Sequence, residues 1–217
     1  MLKIIPSILT SSTQELNSLL KQIENVAERV HIDIIDGIFS QEETITPKDV
    51  SETSFLTDFD YHLMVDKPLS WINQIEHGSS VRVIGQIEKM VNQRFFCETV
   101  KSHGSLAGLA LDLNTPIDNL ESDALSLCSV ILVMSVKAGL GGQEFDDMAI
   151  DKIEELSKLR EHAFFPYVIV DDGGITFENI DDVRLAGVDE VVIGRRLFEG
   201  DLGQNIKKYT LTAYGKR

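Results

Sequence analysis

In the stretch VHIDIIDG, residues 30–37, a histidine and two aspartates interrupt a run of valine and isoleucine. His31 and Asp33 lie two positions apart, so on an extended strand their side chains share one face. A second histidine, His62, lies near the end of the apolar stretch DFDYHLM, and Asp172 ends PYVIVDD. Two imidazoles and two carboxylates meeting at one point suit Zn2+, Fe2+, Mn2+ or Co2+ rather than Ca2+ or Mg2+ alone. Each residue also has an ordinary structural use. A lone histidine at a strand end is commonly a hydrogen-bonded structural group, and Asp33 could satisfy backbone amides. Asp171 and Asp172 fit a turn before a helix, and Asp36 beside Gly37 suits a turn. Only the joint pattern points to a metal.

A second group of residues suits an anion. Gly139, Gly141 and Gly142 lie in GLGGQ, Gly173 and Gly174 follow Asp172, and Gly194 opens GRR. Glycine lets backbone amides come close to an anion, and a following helix N-terminus favours negative charge. The formal charge of −15 disfavours nucleic acid and anionic membrane as partners. An anionic substrate would therefore need local positive charge, which Arg195 or Arg196 supplies.

These residues need a frame that brings distant segments together. Eight short apolar runs recur: LKIIPSIL, RVHIDII, DFDYHLM, SVRVIGQ, LAGLALD, SVILVMS, PYVIVDD and DEVVIG. Helical patterns separate most of them. Residues 13–27 place Leu16, Leu19, Leu20, Ile23, Val26 and Ala27 on one face, with Ser12 and Glu15 at capping-box spacing. Residues 146–162 form a second such pattern, and the helix after the second strand is expected to be short. Near-continuous apolar strands alternating with amphipathic helices predict a parallel sheet covered by helices. The 217 residues shared over eight units leave about 27 each, a compact single-domain (β/α)8 TIM barrel over 1–217, with an open doubly wound sheet as the rival. In such barrels the chemistry sits at the C-terminal strand ends. Ser7, His31, Asp33, His62 and Asp172 are the polar groups there. Two cysteines without CxxC spacing fit a reducing, cytoplasmic setting. The apolar run of MLKIIPSIL is too short for a signal peptide, and no stretch of about 18 apolar residues would span a membrane.

The motifs IPSIL (5–9), HIDIIDGIF (31–39), TITP (44–47), HLMV (62–65), VMSVKAGLGGQEF (133–145), VDDGGI (170–175) and GRRLF (194–198) resemble, in order and spacing, those of the ribulose-phosphate 3-epimerase family. The resemblance runs nearly end to end and implies a (β/α)8 barrel of the ribulose-phosphate-binding type. It implies that His31, Asp33, His62 and Asp172 bind one divalent metal ion, and that Asp33 and Asp172 also move protons. Ser7 and His62 would contact substrate, and Met64 and Met134 would line the site. Gly142, Gly173, Gly174 and Gly194 would cradle the phosphate, with Gly139, Gly141 and Arg195 alongside. The implied reaction inverts C3 of a 2-ketose phosphate through an enediolate. The implied partners are a small sugar phosphate and further copies of the chain.

The chain also departs from the family pattern. Ile35 stands where the family has Met, and Gln86 where it usually has His. Ser40, Gln41 and Glu42 replace Val-Pro-Asn. Lys137-Ala138 and Asp112-Leu113 each replace Asn-Pro, and Arg195 replaces Ser. These changes leave two alternatives to ribulose 5-phosphate epimerisation: a hexulose 6-phosphate substrate such as allulose 6-phosphate, or a non-catalytic sugar-phosphate-binding protein. The Asp-x-Lys-x-x-Asp pattern of the related decarboxylases has no counterpart around DFDYHLM, which argues against decarboxylation.

Overall fold

The computed structural model describes residues 1–53, 57–161 and 166–215. Eight parallel strands close into a barrel in sequence order: β1 (Lys3–Ile8), β2 (Arg29–Ile35), β3 (Asp58–Met64), β4 (Arg82–Gln86), β5 (Leu106–Leu111), β6 (Val130–Met134), β7 (Val168–Asp172) and β8 (Glu190–Ile193). β8 pairs with β1, so no sheet edge is left open. The predicted TIM barrel is therefore the observed fold, and the open-sheet alternative is excluded. Both Asp171 and Asp172 lie within β7, not in a turn.

Alternation along each strand divides the side chains. One set points outward and packs under the helices, including Ile8, Ile32, Ile34, Leu63, Val83, Leu109, Ile131 and Ile169. The other set fills the lumen, where Ile5, Ile84, Val130, Leu132, Val170 and Val192 form an apolar plug. Both faces of each strand are thus buried, which is why the strands read as unbroken apolar runs.

The outer layer comprises α1 (Thr13–Ile23), α2 (Pro47–Ser51), α3 (Gln93–Ser102), α4 (Ser122–Leu125), α5 (Met148–Glu161), α6 (Ile180–Ala186) and α7 (Leu202–Thr212), with short 3-10 segments such as Pro68–Gln74 after β3. The short helix expected after the second strand is α2. In α1, Leu16, Leu20 and Ile23 are buried as the periodicity predicts. The helix stops before Val26 and Ala27, however, because Asn25 turns to φ 62°. Asparagine enters that left-handed region at lower cost than most residues and ends helices there. The capping box is only half formed. Ser12 Oγ accepts from the Glu15 N–H at 3.3 Å, but the Glu15 carboxylate takes the Thr10 hydroxyl instead of closing back on Ser12. The pattern expected over 146–162 becomes α5, and residue 162 lies outside the described residues.

Candidate active site

The barrel registers place the polar strand ends at one level. Ser7 is opposite His31, Asp33 opposite His62, and Met134 opposite Asp172. One ligand atom from each of His31, Asp33, His62 and Asp172 lies within 4.8 Å of all the others. Nδ1 of His62 is 3.1 Å from Asp33 Oδ1 and 3.7 Å from Asp172 Oδ2. Nε2 of His31 is 3.5 Å from that Asp33 oxygen and 3.8 Å from that Asp172 oxygen. Two nitrogens and two carboxylate oxygens therefore face one point. Both histidines are fully buried. Neither ring nitrogen of His31 has a hydrogen-bond partner. Its Nε2 instead stands off from the Asp33 and Asp172 carboxylates, a spacing that leaves room for a cation between them.

A second layer lies beneath these four. Asp60, two residues before His62 and on the same face, sets Oδ2 3.7 Å from His31 Nδ1. Arg29 Nη1 donates to Asp60 Oδ1 at 2.6 Å. Arg82 Nη1 lies 3.5 Å from Asp60 Oδ2, and its guanidinium grips Glu190 at 2.5 and 3.1 Å across the lumen. Behind His62, Gln86 from β4 sets its side-chain nitrogen 3.0 Å from Nε2. An aspartate behind one imidazole and an amide behind the other are the partners that fix ring orientation in metal sites. Asp60 is not among the residues the strand-end pattern picks out; its signal is the D-Y-H alternation, which puts a second carboxylate on the lumen face. Gln86, a departure from the family pattern, takes its place behind His62 only in the closed barrel.

Burial and neighbouring charge set the protonation states. Burial works against a charged His31, but the carboxylates of Asp33, Asp60 and Asp172 outweigh it and lift the ring to about 10. Burial alone would raise Asp33, yet the two histidines hold it down to about 2. Asp172 moves the other way, up to about 7, through burial and the Asp33 charge, against the opposing pull of His31. Burial pushes His62 below its ordinary value. Without a cation, the two carboxylates are thus driven apart, one ionised and one able to hold a proton near neutrality.

The remaining predicted residues lie on the neighbouring strands and loops. Met64, Met134 and Ile35 are buried in the lumen cluster above the apolar plug. A Cβ on Gly194 would come 3.1 Å from Ser7 Oγ, which brings those two residues together. A side chain on Gly142 would collide with the Arg195 guanidinium, so the glycine-rich loop and Arg195 are neighbours at φ +76°. Arg195 is exposed. Gly139 and Gly141 instead lie against Ser40 and Leu9. Gly173 lies against Val136, and Gly174, at φ +62°, against the backbone of Phe145. Asp36 is the turn residue expected: its Oδ1 accepts from the N–H groups of Ile38 and Phe39 at 2.9 and 2.8 Å.

Two departures from the family pattern fit each other. Asp112 Oδ1 accepts from both the Leu113 and the Ala138 N–H, each at 2.8 Å. Proline at 113 and 138 would lack those donors. A third departure joins the same loops, since Ser40 donates its hydroxyl to the Gly139 carbonyl at 2.8 Å.

The sequence profile of the ribulose-phosphate 3 epimerase family matches residues 3–198. The chain is 31% identical over 202 residues to ribulose-phosphate 3-epimerase of Synechocystis sp., covering 90% of this chain and 86% of that protein. It is 29% identical over 218 residues to the Bacillus subtilis ribulose-phosphate 3-epimerase, covering 98% and 97%. The chloroplastic ribulose-5-phosphate-3-epimerase of Arabidopsis thaliana is 32% identical over 199 residues, covering 89% of this chain and 70% of that protein. Among solved structures, 3-keto-L-gulonate-6-phosphate decarboxylase of Vibrio cholerae superposes with a TM-score of 0.70 at 12% identity, over 100% of this chain and 99% of that one, a likeness of fold. Among the described residues no helix is long and apolar enough to cross a membrane.

Proposed function

The chain belongs to the ribulose-phosphate 3-epimerase family, a family of isomerases, and from that premise we propose that it interconverts ribulose 5-phosphate and xylulose 5-phosphate. The observation that carries the reading is the convergence of His31, Asp33, His62 and Asp172 on one buried point. The donor set of two imidazole nitrogens and two carboxylate oxygens fits Zn2+, Fe2+, Mn2+ or Co2+. Such an ion supplies Lewis-acid stabilisation of the negative charge that develops beside the substrate carbonyl.

The chain's own residues do the rest. Inversion at C3 removes a proton from one face and returns one to the other, so it needs two groups in opposite protonation states. Asp33 takes the proton from one face of C3, and Asp172 returns one to the other. For the reverse reaction they exchange roles. Met64, Met134 and Ile35 exclude water from the reacting carbon. Gly142, Gly173, Gly174 and Gly194 offer backbone amides to the phosphate and Arg195 adds a charge-assisted contact, with Gly139 and Gly141 shaping the same rim. Ser7, next to Gly194, reaches the substrate from β1. Binding energy gathered at the phosphate holds C3 between the two aspartates. The working protein is, on this reading, a cytoplasmic homo-oligomer.

The test uses purified protein loaded with Mn2+ or Zn2+. Conversion of ribulose 5-phosphate, with solvent deuterium entering at C3, is the expected result. Binding of sugar phosphate without exchange, with metal confirmed in the protein, would overturn catalysis. A higher kcat/KM for a hexulose 6-phosphate in the same assay would reassign the substrate.

A further inference from the structure

The two imidazoles of the centre have different partners on their far sides. Behind His31 stands a carboxylate, which only accepts. Behind His62 stands Gln86, wholly buried, whose amide carries both a donor and an acceptor. As placed here, the Gln86 Nε2 faces His62 Nε2 at 3.0 Å, and the Gln86 oxygen has no partner. Nδ1 of His62 meanwhile faces Asp33 at 3.1 Å. This arrangement is self-consistent for one tautomer. The ring proton sits on Nδ1 and goes to Asp33, while bare Nε2 accepts from the amide.

The same ring serves a cation only with Nδ1 bare, because Nδ1 is the nitrogen that faces Asp33 and Asp172. Its proton must then sit on Nε2, and an amide nitrogen there would set donor against donor. A half-turn of the Gln86 amide removes the conflict. It brings the unpaired oxygen to Nε2 and needs no movement of the neighbouring strands, since the two ends of an amide are nearly equal in shape. We propose that Gln86 is a positioning residue with two states: its amide turns over when metal enters, as the His62 proton passes from Nδ1 to Nε2. The ring keeps one proton throughout, so its charge does not change. A carboxylate at this position would favour only the metal-ready tautomer, and an apolar side chain would support neither. The inference rests on the metal-centre reading given above and concerns how that centre is loaded.

The experiment is 15N NMR of the full chain with labelled histidine, without metal and after addition of one equivalent of Zn2+. In the metal-free protein, His62 is expected to carry its proton on Nδ1. After Zn2+, Nε2 is expected to carry it, and the Gln86 side-chain amide resonances shift at the same step. In Gln86→Glu, Nε2 is expected to be protonated before any metal is added. In Gln86→Met, chosen to keep length and apolar packing, the Kd for Zn2+, measured by competition with a chromophoric chelator, rises about 10- to 100-fold. Zn2+ binding with an unchanged His62 tautomer, or a Gln86→Met protein that is folded and binds Zn2+ within twofold of the parent, overturns the role of Gln86 alone. Failure of the parent to bind one Zn2+ overturns the metal reading and this inference with it.

Discussion

Replacing Asp60 by Asn tests whether the buried charge under the site orients His31 or merely fills the barrel floor. Asp60 is wholly buried, held by Arg29 at 2.6 Å, and faces His31 Nδ1 at 3.7 Å. In the metal-free protein His31 is charged up to about 10, so at pH 7 its proton must leave when a cation arrives. Asp172, raised to about 7, gives up part of a further proton. Loading near pH 7 therefore releases more than one proton per ion, and affinity rises with pH through the neutral range. Asparagine removes one of the carboxylates that hold the His31 proton but leaves Asp33 and Asp172, so His31 should lose its proton at a lower pH and the proton release should shrink first on the alkaline side of neutrality. Losing the partner that makes His31 a strong ligand works against binding by about 10- to 100-fold, or ~1.4–2.7 kcal/mol, offset in part by the weaker proton competition. Arg29 keeps Asp58 and the Ser80 carbonyl, and Arg82 keeps Glu190, so the fold should lose only about 1–3 kcal/mol. At this chain length each kcal/mol moves Tm by about 2–4 °C. Calorimetric Zn2+ titration in buffers of different ionisation enthalpy measures affinity and proton release together. A variant with lowered Tm but unchanged affinity, and unchanged proton release from pH 7 to 9, would refute the orienting role of Asp60.

Asp172→Asn, which also removes one ligand oxygen charge, should fold with weaker metal binding and, at saturating metal, lower C3 deuterium exchange by about 10²- to 10⁴-fold, read by proton NMR of the substrate. Exchange within tenfold of the parent would remove Asp172 from the chemistry. Arg195→Ala should raise KM by about 10- to 100-fold, the loss of one charge-assisted bond to phosphate, with kcat little changed. A fall in kcat with KM constant would show that Arg195 acts on the reacting carbon instead. Gly174→Ala should cost about 1–3 kcal/mol in a urea melt, because φ is +62° and the added carbon would meet the Phe145 backbone. A neutral result there would show that the loop moves aside freely.

The barrel and its four converging residues were legible for a simple reason. Strands buried on both faces must be apolar almost throughout, so a histidine or aspartate near a strand's C-terminal end stands out. The charges of the barrel floor obey the same alternation but sit near strand starts, where Arg29, Asp58 and Asp60 look like solvated boundaries. Arg82 and Glu190 lie 108 positions apart and meet only because the barrel closes. Periodicity also ran past the true end of α1, since Val26 and Ala27 keep the helical spacing while Asn25 breaks the backbone. The rim departures are the most instructive case. Read one at a time, Leu113 and Ala138 look like two lost prolines, and Asp112 like a lost asparagine. Folded together, two new N–H groups meet one carboxylate oxygen, and Lys152 donates to the Asp112 and Leu113 carbonyls from α5, each at 2.8 Å. Decay by drift has no reason to supply an acceptor for each donor it exposes. Paired changes that leave these loop N–H groups satisfied are what a rim still under structural constraint would keep.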